Sequence, residues 1–292
     1  GFAGAESIAN ANAVAFDANE LFPVGTVKLY NMQVLNKGAI DKYLTYATAV
    51  LTAAKSPLCP IFEEMIAESG EKLPTADSVK YENTMGISGW IGEHRVFIGN
   101  RTLMEGHNIR VPSLELDKKV LRAGYFPVYL AFDQQLCALF IVGYEADETI
   151  TYELRRLCST GVTMLVSSND ANITEEMLCD YFGLYPDSIK IMSASGVGSY
   201  KSETEYRESV SAPASFKDGI CGFLDIVTSA IRIKSITDAL MIVQLIGVCL
   251  SLALCLYMIV AGLLSTLPAI YIALFQLILT AIIKLISSFY QP

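Results

Sequence analysis

An α/β fold followed by membrane-spanning helices is the fold class that the sequence predicts, and three observations support it. A short apolar run ends in a carboxylate at residues 13–17. Strand and helix patterns alternate again after residue 121, beyond a stretch that is rich in hairpin signals. From Ala239 to Ile283 the chain contains no Asp, Glu, Lys, Arg or His. We therefore expect a parallel sheet that is split by an inserted α+β module and followed by a two-helix transmembrane hairpin.

The first predicted strand covers residues 13–17, Ala-Val-Ala-Phe-Asp. Buried parallel strands are apolar runs of this kind. Ligand sites of open α/β sheets lie outside the carboxyl ends of the strands. Asp17 is therefore expected at an edge of the sheet where a ligand can bind.

The inserted module is predicted over residues 33–120. Apolar residues with helical spacing run from Ile40 to Ala67 and are interrupted at Pro57 and Pro60, which predicts two helices with a break between them. Glycines then separate short β-rich runs over residues 86–101, a pattern typical of antiparallel hairpins.

The second part of the parallel sheet is predicted over residues 121–218. Residues 128–132 and 136–142 are predicted strands joined at Asp133-Gln134-Gln135, and a helix over 148–159 and a buried strand over 162–166 follow. The return of alternating strands and helices favours a parallel sheet. Residues 201–217 are rich in Ser and Glu and predict a loop or an acidic surface helix. The predicted domains are 1–32 and 121–218 for the split sheet, 33–120 for the insertion, 219–238 for a membrane approach and 239–292 for two transmembrane helices.

Two apolar segments, 239–261 and 266–288, have 23 residues each. About 20 residues are enough for a helix to cross the hydrocarbon layer. Arg232 and Lys234 precede the first segment, whereas the turn between the segments has no Lys or Arg. The bias of basic residues toward the cytoplasm therefore places the soluble part on the cytoplasmic side and makes the lipid bilayer a partner.

The composition of the chain indicates which binding partners and which redox compartment to expect. The formal charge is −9, and the 30 acidic residues lie almost wholly before residue 239. This balance argues against nucleic acid, which requires clustered basic residues. The seven cysteines form no C-x-x-C pair, and their odd number fits a reducing compartment. The start has no initiator Met and no apolar signal region, so we expect the natural chain to continue upstream.

A family resemblance begins at residues 13–25, Ala-Val-Ala-Phe-Asp-Ala-Asn-Glu-Leu-Phe-Pro-Val-Gly. This segment resembles the phosphorylation segment of the P-type ATPases, an apolar strand followed by D-K-T-G-T-L-T. Asp17 stands at the phosphorylated aspartate, and Ala18, Asn19, Glu20 and Leu21 replace the Lys, Thr, Gly and Thr. The family's chemistry requires a carboxylate nucleophile, cations around the phosphate and Mg²⁺. The resemblance thus implies ATP and Mg²⁺ as cofactors and Asp17 as both catalytic residue and metal ligand.

Three further segments resemble the heavy-metal-transporting subgroup of this family. Lys55-Ser-Pro-Leu resembles its S-E-H-P-L helix, with Ser56 in the place of a His that contacts adenine. Residues 86–92 resemble its glycine-rich nucleotide loop. Residues 96–104, Val-Phe-Ile-Gly-Asn-Arg-Thr-Leu-Met, resemble its V-x-x-G-N-R-x-L-M stretch, which is the most specific match. The resemblance implies a nucleotide-binding role for Ser56, Gly86, Gly89 and Gly99.

The segment Ser167-Ser168-Asn169-Asp170 stands where the family has a T-G-D loop. Ser168 resembles the Thr that binds a phosphate oxygen, and either Asn169 or Asp170 aligns with the Asp. The residues after this loop also fit a helix start, with Asn172 or Thr174 as the N-cap.

Two later elements of the family pattern concern phosphate and Mg²⁺. Lys201 stands where a phosphate-binding Lys is expected. No match to G-D-G-x-N-D lies between residues 189 and 220, where Asp218-Gly219 lacks a second acid. Without such carboxylates a Mg²⁺ ion loses oxygen ligands.

The resemblance implies a haloacid-dehalogenase-like P domain, an inserted nucleotide-binding-like N domain and a place in the plasma membrane of a bacterium. Upstream transmembrane and actuator segments of the same protein are the implied partners, and the transported cation is unknown. The replaced residues favour a catalytically impaired pseudo-ATPase with a regulatory or structural role. The alternative is an active cation-transporting pump that forms an aspartyl phosphate at Asp17. A third hypothesis is an unrelated membrane-anchored binding domain.

Overall fold

The structure is a computed structural model that describes residues 2–36, 39–67, 72–82, 84–204, 214–262 and 269–289. The chain divides into two compact units. The first, which we call the sheet unit, covers residues 12–210 and 217–224. The second, the helical unit, covers residues 1–11, 211–216 and 225–292.

The described strands are β1 (Ala13–Asp17), β2 (Val27–Val34), β3 (Ser78–Glu82), β4 (Gly86–Ile91), β5 (His94–Gly99), β6 (Phe126–Phe132), β7 (Gln135–Tyr144), β8 (Thr163–Ser167) and β9 (Ile189–Ile191). The described helices are α1 (Phe2–Ala9), α2 (Ala18–Leu21), α3 (Ile40–Ala54), α4 (Cys59–Ile66), α5 (Arg101–Gly106), α6 (Leu114–Arg122), α7 (Glu148–Cys158), α8 (Glu175–Phe182), α9 (Ala194–Thr204), α10 (Gly219–Val260) and α11 (Ala269–Phe289).

A three-stranded parallel sheet with the order β1-β8-β9 contains the predicted first strand. The predicted strand at 13–17 is confirmed, and Val14 and Phe16 are buried, as the apolar run requires. The helix predicted over 148–159 and the strand predicted over 162–166 are also confirmed, as α7 and β8. The α/β fold class predicted from the sequence is therefore confirmed.

A six-stranded antiparallel sheet with the order β2-β7-β6-β5-β4-β3 forms the larger part of the sheet unit. The two helices predicted before and after Pro57 are present as α3 and α4, and Lys55 ends α3 in the left-handed conformation. A buried cluster beside the sheet includes Phe97, Leu103, Met104 and Tyr129. Apolar burial of this kind is the main stabilising term of such a module.

Strands β6 and β7 lie in the antiparallel sheet, and not in the parallel sheet where the sequence analysis placed them. Asp133 and Gln134 both have positive φ values, 47° and 67°, and join the strands in a tight hairpin. A two-residue connection requires antiparallel neighbours, because a parallel pair needs a long crossover. The antiparallel sheet thus extends from Val27 to Tyr144, wider than the predicted insertion at 33–120. The domain boundaries themselves stay predictions.

One described helix, α10, is long and apolar enough to cross a membrane, and its residues from Asp225 onward belong to the helical unit. It has 42 residues and joins the predicted membrane approach to the predicted first span without a break. The second predicted span corresponds to α11, which has 21 residues. Gly247 of α10 lies against the side chain of Leu279 of α11, so the two helices pack closely at this point. Residues 205–213, predicted as a loop or acidic helix, lie outside the described residues.

Candidate active site

A cavity of about 470 Å³ opens at the carboxyl edge of β1 and β8, where the sequence analysis expected a ligand site. Three parts of the sheet unit line it. The parallel-sheet loops contribute Asp17, Ala18, Asn19, Ser167 and Asn169; α9 contributes Tyr200, Lys201 and Thr204; the α3–α4 segment contributes Ala53, Ala54, Lys55 and Pro57. Its volume falls within the range of about 300–1,000 Å³ that is usual for small-molecule sites.

Asp17 lies at this edge because β1 ends there. It pairs in register with Ser167, the last residue of β8. Asp17 is also the N-cap of α2, but its side chain forms no capping hydrogen bond with that helix. Its carboxylate is therefore available to the cavity, as a nucleophile or as a ligand for a cation.

The loop after β8 separates the residues that the sequence analysis could not tell apart. Asn169 lines the cavity, and its Nδ2 donates to the carbonyl oxygen of Ala54 at 2.5 Å. Asp170 is fully buried, and its carboxylate accepts from the hydroxyl of Tyr144 and from the N–H of Asn172. Burial raises the pKa of Asp170. Asp170 thus forms its hydrogen bonds in the interior of the sheet unit, and Asn169 is the residue of this pair that lines the cavity.

Ser168 is buried within the same loop. Its Oγ accepts from the N–H of Asp170 at 3.1 Å, while the neighbouring Ser167 lines the cavity. The phosphate-binding role assigned to Ser168 stays a prediction, and Ser167 is the residue of this loop whose hydroxyl lines the cavity. The N-cap of α8 is Thr174, whose Oγ1 accepts from the N–H of Met177 at 3.2 Å.

Helix α9 brings Tyr200, Lys201 and Thr204 to the cavity, with the first and last of these one turn apart. Burial raises the pKa of Tyr200 to about 12, and the negative charges of Asp17 and Glu20 add to the shift. The phenol is therefore protonated at neutral pH and can donate a hydrogen bond. Lys201 lines the cavity as the resemblance implied, although its role there stays a prediction.

The residues proposed to bind a nucleotide do not lie together around this cavity. Ser56 is buried, and its Oγ accepts from the N–H of Leu58 at 3.3 Å. Gly86 and Gly99 face each other across β4 and β5. A Cβ atom on Gly99 would contact the carbonyl oxygen of Met85, and one on Gly89 would lie 2.7 Å from Val50 Cγ2. These glycines permit close packing within the module, and their binding role stays a prediction.

The charges around the cavity favour a phosphate group more than a resident Mg²⁺ ion. Asp17 is the one carboxylate among the lining residues, which also include Lys55 and Lys201. No group of three or more His, Cys, Asp or Glu side chains in the described residues could hold a metal ion. Mg²⁺ is held by carboxylates together with substrate phosphates. Asp17 alone does not make a resident Mg²⁺ site, whereas the two lysines fit the phosphates of a nucleotide.

Several residues of this cavity were not predicted from the sequence. Lys55 lies beside Ser56 in the segment that resembles the S-E-H-P-L helix, and the resemblance implies a role for Ser56 and not for Lys55. Tyr200 and Thr204 lie beside Lys201 on one turn of a helix, and that helix begins in a Gly- and Ser-rich segment with little apolar periodicity. Their place could have been found only once Lys201 was known to be helical, because positions four apart share a face.

The homologues of this chain are P-type ATPases of the metal-transporting kind, which confirms the resemblance predicted from the sequence. The chain is 22% identical over 180 residues to a silver exporting P-type ATPase of Salmonella typhimurium, a match that covers 61% of this chain and 22% of that protein. It is 22% identical over 188 residues to a copper-exporting P-type ATPase of Legionella pneumophila, which covers 64% of this chain and 25% of that protein.

Among solved structures, a zinc-transporting PIB-type ATPase in the E2.Pi state is 14% identical with a TM-score of 0.43, and the match covers 99% of this chain and 51% of that chain. The sequence matches no family model. The matched part of this chain spans about a quarter or less of the length of the curated relatives.

Proposed function

We propose that this chain belongs to a P-type-ATPase-like membrane protein whose phosphorylation chemistry is impaired and whose role is regulatory or structural. In this proposal the parallel sheet is a haloacid-dehalogenase-like P domain, and the antiparallel sheet is a nucleotide-binding-like domain. Helices α10 and α11 span the plasma membrane of a bacterium, with the sheet unit in the cytoplasm. Upstream transmembrane and actuator segments of the same protein complete the assembly.

The residues around Asp17 support this proposal. Ala18, where the family has a Lys, is 1% exposed, so the space at this position is filled around a methyl group. Burial raises the pKa of Glu20, and the negative charge of the nearby Asp17 raises it further. An acid at this position opposes the approach of a triphosphate. Loss of one electrostatic stabiliser of a transition state costs about 10²–10³ in rate, and this site lacks several.

Phosphate binding is the part of the function that the cavity supports best. Lys55 and Lys201 would hold the phosphates of ATP and offset the repulsion from Glu20. The Tyr200 phenol would donate to a phosphate oxygen. Binding without turnover is compatible with these groups, because it needs no nucleophilic attack and no leaving group.

The alternative is an active pump, with the cation exported by its relatives, silver or copper, as the candidate cargo. One observation favours it, because Asp17, Ser167 and Lys201 line the same cavity. A carboxylate nucleophile, a hydroxyl and a cation at one sheet edge are parts that phosphoryl transfer requires.

Incubation of the purified full chain with radiolabelled ATP and Mg²⁺, followed by acid precipitation, tests the proposal. We expect no acid-stable, hydroxylamine-labile label on this protein. A P-type ATPase that forms its phosphoenzyme is labelled in parallel to validate the assay. Label that is present in the wild type and absent from Asp17→Asn would establish phosphorylation at Asp17 and end the pseudo-ATPase proposal.

A further inference from the structure

Lys55 reaches the cavity from an element that the phosphorylation segment does not include. It ends α3 with a φ of 53°, and this conformation turns the chain toward Pro57, so that the residues around the turn line the cavity. The turn is held in place by Asn169, whose Nδ2 donates to the carbonyl oxygen of Ala54. The backbone at Lys55 is therefore held beside the edge of the parallel sheet through the carbonyl group of its neighbour Ala54.

The residues that line the cavity include more cations than carboxylates, although Glu20 lies near it and adds a negative charge. The chain has a formal charge of −9, whereas two lysines and one carboxylate line the cavity. No carboxylate of the described residues lies within ion-pair distance of Lys55 or Lys201. Two cations that have no acidic partner among the described residues provide a site for an anion.

We propose that Lys55 supplies the positive charge that Ala18 lacks, and that Lys55 and Lys201 together bind a phosphate group without a divalent metal ion. This inference rests on the proposed function, because it concerns a site that binds phosphate without transferring it. The phosphate belongs either to free inorganic phosphate or to a nucleotide. In both cases the anion bridges the α3–α4 turn and the parallel sheet.

Calorimetry on the purified full chain in detergent, with EDTA present, tests this inference with inorganic phosphate, ATP and adenosine as separate probes. We expect phosphate or ATP to bind and adenosine not to bind. Lys55→Asn removes the charge with a residue that tolerates the left-handed conformation. Lys55→Asn and Lys201→Gln should each weaken binding about tenfold or more, the size expected for a lost charge-assisted hydrogen bond.

Two further variants complete the design. Lys55→Arg should retain most of the binding, because the charge is kept. Lys119→Gln removes an exposed lysine of α6, outside the cavity, and should bind like the wild type. Binding of phosphate without binding of ATP identifies the free anion as the ligand. Binding of ATP without binding of phosphate identifies the nucleotide.

Several results would overturn the inference: no binding of either anion in EDTA, binding only when Mg²⁺ is added, equal binding of adenosine, or unchanged binding in Lys55→Asn. The radiolabelling experiment tests the proposed function independently of this inference. Label on Asp17 ends the pseudo-ATPase proposal and does not depend on Lys55, whereas loss of anion binding in EDTA ends this inference and leaves the labelling result unchanged.

Discussion

Asp170 is a buried acid whose protonation should affect the stability of the sheet unit. Its carboxylate accepts from the Tyr144 hydroxyl and from the Asn172 N–H, yet burial still raises its pKa. A raised pKa means that the folded state binds the proton more tightly than the unfolded state. The stabilisation that results is complete below the ordinary pKa of an aspartate, and it is lost as the pH rises through the folded-state pKa.

Asp170→Asn should therefore change the pH dependence of the free energy of unfolding. We expect the stability of the wild type relative to the variant to fall as the pH rises from the ordinary pKa of an aspartate, about 4, through the folded-state pKa, and then to stay level. Urea unfolding in detergent, followed by the fluorescence of Trp90, measures it, since Trp90 lies in the sheet unit and the chain has one Trp. Asp180→Asn, an exposed acid of α8, is the control. The same pH profile in all three proteins would contradict the buried-charge argument.

At the residue scale the sequence predicted the position of Asp17 and of Lys201, and both line the cavity. Ser167 lines the cavity beside the predicted Ser168, because β8 continues to Ser167, and the phosphate-binding role of Ser168 stays a prediction. A strand boundary is too weakly marked in a sequence to fix such a choice. The contribution of Lys55 depends on the folding of one module against the edge of another sheet, which local pattern does not encode.

At the scale of elements the close approach of β4 and β5 depends on the facing pair Gly86 and Gly99. A Cβ atom on Gly99 would lie 2.8 Å from Gly86 Cα and 2.8 Å from Leu103 Cδ2, besides its contact with the Met85 carbonyl oxygen. Contacts with backbone atoms cannot be relieved by a change of rotamer. The resemblance to a nucleotide loop therefore has a packing explanation that is independent of any ligand.

Gly99→Ala should destabilise the sheet unit by about 1–3 kcal/mol, the usual cost of overpacking. Gly106→Ala is the matched control, because its Cβ meets no atom within 4 Å and alanine favours a helix. Urea unfolding followed by Trp90 fluorescence compares the two. A loss below about 0.5 kcal/mol for Gly99→Ala would show that the strands can separate without cost. If Gly99→Ala destabilises the sheet unit as expected, reduced nucleotide binding by this variant does not by itself indicate a lost contact with the ligand.

Elements were predictable wherever a local signal was strong. The apolar run before Asp17 and the proline break after α3 are such signals. The sheet to which β6 and β7 belong was not predictable from alternation alone, because the deciding feature is the left-handed turn at Asp133 and Gln134. Neither residue is a glycine, so the hairpin lacks the usual sequence signal of such turns.

At the scale of the whole molecule the two units differ in how many apolar side chains they expose. The sheet unit buries its apolar side chains, whereas α10 leaves large apolar side chains exposed along the charge-free part of the helix, for example Leu250 at 60%. With 42 residues, α10 is about 63 Å long at about 1.5 Å per residue, roughly twice the hydrocarbon thickness of about 30 Å. Its first half carries Asp225, Arg232, Lys234 and Asp238. Only the second half therefore suits a bilayer.

Spin labels on Ile233→Cys and Leu250→Cys, each in a background without the native cysteines, test this division of α10. Both positions are exposed in the structure, at 48% and 60%, so packing within the protein does not decide their accessibility. In liposomes we expect the label at position 250 to be accessible to oxygen and shielded from a water-soluble nickel chelate, because polar solutes are excluded from the hydrocarbon layer. The label at position 233 should show the opposite preference, because Arg232 and Lys234 hold this part of the helix in water or at the headgroups. Electron paramagnetic resonance measures both. Equal access of the nickel chelate to the two positions would mean that the charge-free half of α10 does not enter the bilayer.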